Sequence, residues 1–274
     1  MRTPKTVGLM TVLGLLAGLA CSAAPAGDNG ASSAMPESVE PPAPEPVAAP
    51  EPAQTEARDP SRTWIVMLGT GTPGAEPGRF GPATAVVAGG TAYLVDAGPG
   101  VVRRAAAGAI VSGLPALQPQ NLRIAFFTHL HSDHTLGYPD LILSPWVLGR
   151  AAPLQTFGPP GLRQMTESLL DAFSEDIRVR VEGPEQLRRE LLVVEPEEIA
   201  AGVVYEDDTI RVEAFAVPHG TWEHAFGYKL TTADRTIVIS GDTGPFDGLA
   251  EIARGADVLI HEAYGSAGLR ERET

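Results

Sequence analysis

Residues 122–134 read Leu-Arg-Ile-Ala-Phe-Phe-Thr-His-Leu-His-Ser-Asp-His. The apolar run predicts a strand over 122–128 that ends on His129. Three imidazoles and one carboxylate then fall within positions 129–134. Alternate side chains of an extended segment share a face, so His129 and His131 can grip one ion together. Asp133 and His134 stand where the chain turns into a helix, expected from His134 through Pro139 to Leu148, and can face a second ion. Imidazole and carboxylate donors suit zinc, with manganese and iron as alternatives. A solvated cluster is the weaker reading, because the chain has 6 histidines and three of them are here.

Working outward, further candidates follow apolar runs in the same way. Asp96 follows Tyr93-Leu94-Val95, His219 follows Phe215-Ala216-Val217-Pro218, Asp242 follows Ile237-Val238-Ile239-Ser240, and His261 follows Asp257-Val258-Leu259-Ile260. Loops held at strand ends can bring distant residues onto one edge. Strands are expected at 63–68, 83–88, 91–96, 209–217, 225–232, 235–240 and 256–261. Helices are expected at 100–112, 159–174 and 246–255. Strands alternating with helices indicate a layered α/β domain. Alone, Asp242 could also cap a helix starting near Pro245. His224 reads as a surface histidine, with a place near the substrate as the alternative.

His-x-His-x-Asp-His after an apolar strand resembles the signature of the metallo-β-lactamase superfamily. Asp96 in Leu94-Val95-Asp96-Ala97-Gly98, His219 in Val217-Pro218-His219-Gly220 and Asp242 in Ser240-Gly241-Asp242-Thr243 match its further motifs in order. The resemblance covers about residues 63–274 and implies an αββα sandwich. It assigns His129, His131 and His219 to one zinc. Asp133, His134 and Asp242 go to a second, with Asp242 bridging both. It makes Asp96 a residue that orients the metal loop from behind, and His261 and Glu262 supports behind the site.

Three segments are similar to the ribonuclease Z-like and arylsulfatase-like branch. They are Leu68-Gly69-Thr70-Gly71-Thr72-Pro73, the run from Ala225 to Tyr228 continued at Asp234–Thr243, and His261-Glu262-Ala263. A hydrolase of a small phosphodiester, sulfate ester or related ester follows, with Asp133 orienting the attacking water and accepting its proton. Enzymes of that branch that process tRNA carry a long basic arm between the third histidine and the bridging aspartate. Here the span from His219 to Asp242 is filled by two expected strands. The formal net charge of −14 also repels phosphate backbones, so a nucleic-acid partner is not expected.

The ends carry other signals. Arg2 and Lys5 precede an apolar run over 7–20, the pattern of a signal peptide over 1–21. Cys21, the single cysteine, follows directly and resembles a bacterial lipoprotein processing site. The expectation is an exported lipoprotein touching a membrane only through Cys21, with a soluble secreted protein as the alternative. Residues 22–60, rich in Pro, Ala and Glu, read as a disordered linker. The hydrolase domain is expected over 61–274. The sandwich reads as truncated, because no histidine follows His261, where the family places its last metal ligand. That leaves the second zinc site one ligand short and makes a non-catalytic, metal-binding surface protein or inactive fragment the competing reading. A homodimer is a further expectation from the relatives.

Overall fold

A computed structural model of the chain describes residues 58–59 and 61–263. The expected signal peptide, Cys21 and all of the linker except residues 58–59 lie outside the described residues, as does 264–274.

The strands β1 (Trp64–Gly69), β2 (Ala83–Ala88) and β3 (Thr91–Val95) form an antiparallel meander. Gly89 and Gly90, both at positive φ, make the tight turn between β2 and β3. Helix α1 (Val101–Ser112) crosses over to β4 (Ile124–Phe126), which runs parallel to β3. The short α2 (Ser132–Thr135) and α3 (Tyr138–Val147) lead to β5 (Leu154–Gly158). Then α4 (Leu162–Ala172) and α5 (Ser174–Glu182) lead to β6 (Val194–Glu198), the last parallel strand of a sheet ordered β1-β2-β3-β4-β5-β6.

The second sheet follows in sequence. Strands β7 (Gly202–Glu206), β8 (Ile210–Ala216), β9 (Phe226–Thr232) and β10 (Thr236–Ile239) are antiparallel neighbours. Helix α6 (Gly248–Ile252) crosses to β11 (Val258–Ile260), parallel to β10, and the order is β11-β10-β9-β8-β7.

Side-chain alternation explains the stacking. In β2, Ala83, Ala85 and Val87 join Leu94, Ala125, Val101, Leu141 and Trp146 under the helices. Their neighbours Val86 and Ala88 join Tyr93, Val95, Ile124 and Phe126, facing Ile210, Val212, Tyr228, Leu230 and Ile237 of the second sheet. Strands β2, β3 and β4 are buried on both faces and read as nearly continuous apolar runs. The second sheet has only its inner face in this core. The α6 crossover therefore runs over the outer face. The result is the αββα order expected.

Several elements differ from expectation. The helix expected after His134 is α3, which starts at Tyr138, and a short α2 precedes it; Gly137 between them has no room for a Cβ beside the carbonyl oxygens of Gly98 and Ala97. Within α3, Pro145 has no N–H for the Leu141 carbonyl. The buried Arg150 donates to that oxygen at 3.0 Å and to Ile142 O at 3.2 Å instead. Sequence reading gives no element for β5, α5, β6 or β7. Strand β6, Val-Glu-Pro-Glu-Glu, is an edge strand, where proline is tolerated. Helix α5 is a charged surface helix laced by Arg178 to Glu175 and Glu182 and by Arg180 to Asp176.

Candidate metal centre

The expected site residues converge at one end of the two sheets. Asp96 leaves β3, His129 lies beyond β4, His219 beyond β8, Asp242 beyond β10 and His261 beyond β11. Asp96 takes a left-handed conformation, φ 64°, which a non-glycine residue rarely adopts. That turn aims its carboxylate at the histidine motif. Asp96 Oδ1 accepts from the Thr128 N–H at 2.8 Å, and Oδ2 accepts from the Thr128 hydroxyl at 3.0 Å and from His134 Nδ1 at 2.8 Å.

This arrangement settles which ring nitrogens are free. With Nδ1 turned to Asp96, His134 Nε2 is the nitrogen that faces the pocket, able to carry a proton or, in its place, a metal ion. That nitrogen is buried and, among the described residues, has no hydrogen-bond partner. It stands 3.4 Å from Asp242 Oδ1 and 3.7 Å from Asp133 Oδ2. An orphaned buried nitrogen between two carboxylates fits a cation. The Thr128 hydroxyl, donating to Asp96, can accept from His129 Nδ1 at 3.0 Å, and His129 Nε2 is then a lone-pair donor.

The three remaining imidazoles meet on the open side. His131 Nδ1 lies 2.8 Å from His129 Nε2 and 3.1 Å from His219 Nε2. Donor atoms of His129, His131 and His219 lie within 4.8 Å of one another, and so do those of His129, His134 and Asp242. The second group thus includes His129, whereas sequence reading put Asp133 there. Asp133 is buried beside it, with its carboxylate near His134.

Electrostatics separate the two groups. Burial, reinforced by the charge of His134, holds His129 well below the ordinary histidine range, and burial with His219 lowers His131. Burial opposes a proton on His134 too, but the Asp96 and Asp242 carboxylates outweigh it and raise its pKa to about 10. Asp242 is lowered in turn, against its own burial, by His134. A neutral His129–His131 pair is ready for a cation. The His134 pocket holds positive charge in either state.

His261 and Glu262 support the Asp242 loop. The Ser240 hydroxyl lies 2.8 Å from His261 Nδ1, and Glu262 accepts from the Thr243 N–H at 2.6 Å. Asp242 caps no helix, since α6 begins at Gly248. His224 is exposed beside Glu223. Two residues given no role in the sequence reading matter here. Thr128 ties Asp96 to the histidines. Trp222, paired with His219 across a tight turn, donates its indole N–H to His131 Nε2 at 2.7 Å. An aromatic residue three positions after a candidate ligand, in a loop opened by Gly220, was the available signal. A cavity of about 480 Å³ opens over the site, walled by His131, Asp133, His219, Asp242, Glu262 and the Gly69–Pro73 turn.

The family model described as the beta-lactamase superfamily domain matches residues 91–269. The chain belongs to the metallo-β-lactamase superfamily. It is a hydrolase of that superfamily and is similar to Ribonuclease Z of Mycobacterium bovis (strain BCG / Pasteur 1173P2). Identity is 37% over 201 residues, 72% of this chain and 69% of that protein. Ribonuclease Z of Mycobacterium sp. (strain KMS) is 38% identical over 202 residues, 73% of this chain and 68% of that protein. The crystal structure of human tRNase Z, short form, superposes with a TM-score of 0.59 at 23% identity, covering 77% of this chain and 82% of that one. That likeness supports the metallo-β-lactamase fold expected from the motifs.

Proposed function

We propose that this superfamily hydrolase is a zinc enzyme that cleaves an anionic ester, either a phosphodiester or a sulfate ester. His129, His131 and His219 would hold one zinc. His134 and Asp242, with Asp133 alongside, would hold a second. The observation that carries this is the orphaned His134 Nε2, buried between two carboxylates next to a second group of converging imidazoles. Bound zinc lowers the pKa of water toward neutrality and offsets negative charge on a substrate. The chain supplies the rest. Asp133, at the cavity floor, orients the attacking water and accepts its proton. Asp96 and Thr128 keep His134 and His129 in the tautomers that leave Nε2 free. Glu262 and His261 hold the Asp242 loop against movement.

The relatives' name bears on the substrate. Proteins 37–38% identical are named Ribonuclease Z, so the acidic charge and the short span after His219 do not exclude RNA. An RNA phosphodiester is the second reading. The test is elemental mass spectrometry of the purified chain, followed by turnover of bis(p-nitrophenyl) phosphate, p-nitrophenyl sulfate and a short RNA. Close to two zinc ions per chain, with ester turnover abolished in His131→Ala, is the expected result. Cleavage of RNA alone would replace the small ester. Metal without turnover on any of the three would leave a metal-binding protein and sink the enzymatic reading.

A further inference from the structure

The cavity over the metal centre is lined by four carboxylates, those of Asp96, Asp133, Asp242 and Glu262. Cations in the two histidine groups would offset this charge at the cavity floor. At the mouth, Arg79 is the single lysine or arginine among the described residues lining the cavity. It sits on the β1–β2 loop, whose stem is clamped. Gly71 N–H donates to Phe80 O at 2.6 Å, and a Cβ on Gly71 would stand 2.6 Å from that same oxygen. Arg104 stacks over the Phe80 ring at 5.2 Å and donates Nε to Leu68 O at 3.0 Å, tying the stem of the loop to α1.

Arg79 is held there by a weak partner. Its Nε lies 3.0 Å from Glu76 Oε2, with the two side chains 59% and 61% exposed. An ion pair this open contributes little, so its guanidinium is available to another anion. A planar guanidinium matches two oxygens of a tetrahedral oxyanion.

We propose that Arg79 selects anionic over neutral esters: its guanidinium leaves Glu76 and binds an oxygen of the substrate's phosphate or sulfate group. This rests on the anionic-ester reading above. The experiment uses the zinc-loaded full chain and its Arg79→Gln, Arg79→Lys and Glu76→Gln variants. Substrates are bis(p-nitrophenyl) phosphate, p-nitrophenyl sulfate and the neutral p-nitrophenyl acetate. Arg79→Gln should lower the ratio of anionic to neutral kcat/KM by roughly tenfold or more, chiefly through KM, as for a lost charge-assisted hydrogen bond. Arg79→Lys should restore part of it, and Glu76→Gln should lower KM for the anionic esters. The phosphate and sulfate arms show which oxyanion is preferred. Independently of turnover, calorimetric binding of inorganic phosphate should weaken roughly tenfold in Arg79→Gln. An unchanged ratio together with unchanged phosphate affinity overturns the role of Arg79. A wild-type chain that hydrolyses none of the esters overturns the anionic-ester reading, while the phosphate titration still decides Arg79.

Discussion

The two halves of the candidate metal centre are built on different terms. One half is a sealed pocket in which Asp96, Thr128 and His134 are all nearly inaccessible to solvent and tied to one another by hydrogen bonds. The other half is an open fork of His131 and His219, completed by Trp222 from a short turn after β8. His129 stands between them and belongs to both groups. The sealed half is part of the core and cannot be disturbed without cost to folding. The open half is a loop assembly, and its failure should show in metal and turnover rather than in stability.

The largest expected break falls on the sealed half. Asp96→Ala leaves a buried histidine proton and the Thr128 donors unmatched. Stability should fall by about 3–5 kcal/mol in urea unfolding, with metal lost from both groups. A variant as stable as the parent would mean that the sealed half is no part of the core. Thr128→Val removes one hydroxyl at constant shape. It should cost about 1–3 kcal/mol and weaken metal binding roughly 10–100-fold. His219→Ala cuts the open fork instead. Stability should stay within about 0.5 kcal/mol of the parent, while zinc content drops by about one ion per chain. A large loss of stability here would erase the distinction between the halves.

Two smaller effects sharpen it. In metal-free protein the halves should respond to pH with opposite sign. His129 and His131, lowered, favour the folded state above about pH 6.5, and that contribution is lost as pH falls toward their folded values. His134, raised, contributes fully below about pH 6.5 and loses its share as pH rises through about 10. Urea midpoints of chelated protein should therefore peak near neutrality, and Asp96→Ala should flatten the alkaline limb only. The smallest effect is at Trp222. Its N–H occupies the acceptor nitrogen of His131, which places the ring proton on Nδ1, facing His129 and His219. A metal at Nδ1 needs the other tautomer. Trp222→Phe should tighten zinc binding by up to roughly tenfold, the worth of one hydrogen bond, as read by competition with a chromophoric chelator.

What could be read from the sequence follows the same division. The strands bearing Asp96, His129, His219 and Asp242 are apolar runs ending on polar residues, and the chain folds them as expected. Within 150–205 only the helix at 159–174 was legible; β6 and β7 are edge strands and α5 is a surface helix, which leaves little apolar pattern to read. There β6 carries three glutamates and a proline, and α5 is held by exposed ion pairs rather than by an apolar stripe. Thr128 and Trp222 were missed for a different reason. Each acts through a hydrogen bond to a partner set by the fold, and neither residue type announces metal chemistry. The grouping of His129 with His134 and Asp242 was hidden as well, since spacing along the chain says nothing of the distance across a turn.

The backbone behind Asp133 is packed without room for a methyl group. A Cβ on Gly81 or Gly98 would approach the Asp133 carbonyl oxygen at 2.8 or 2.6 Å, and one on Gly137 would approach Ala97 O at 2.7 Å. Three glycines from three separate segments thus lock the wall behind Asp133. For a lineage under selection this confines innovation. The locked wall can be inherited but hardly edited, whereas the turn bearing Trp222 and the exposed side chains at the tip of the loop bearing Arg79 can be rewritten. New substrates can then be acquired at the rim while the hydrolytic apparatus passes on unchanged.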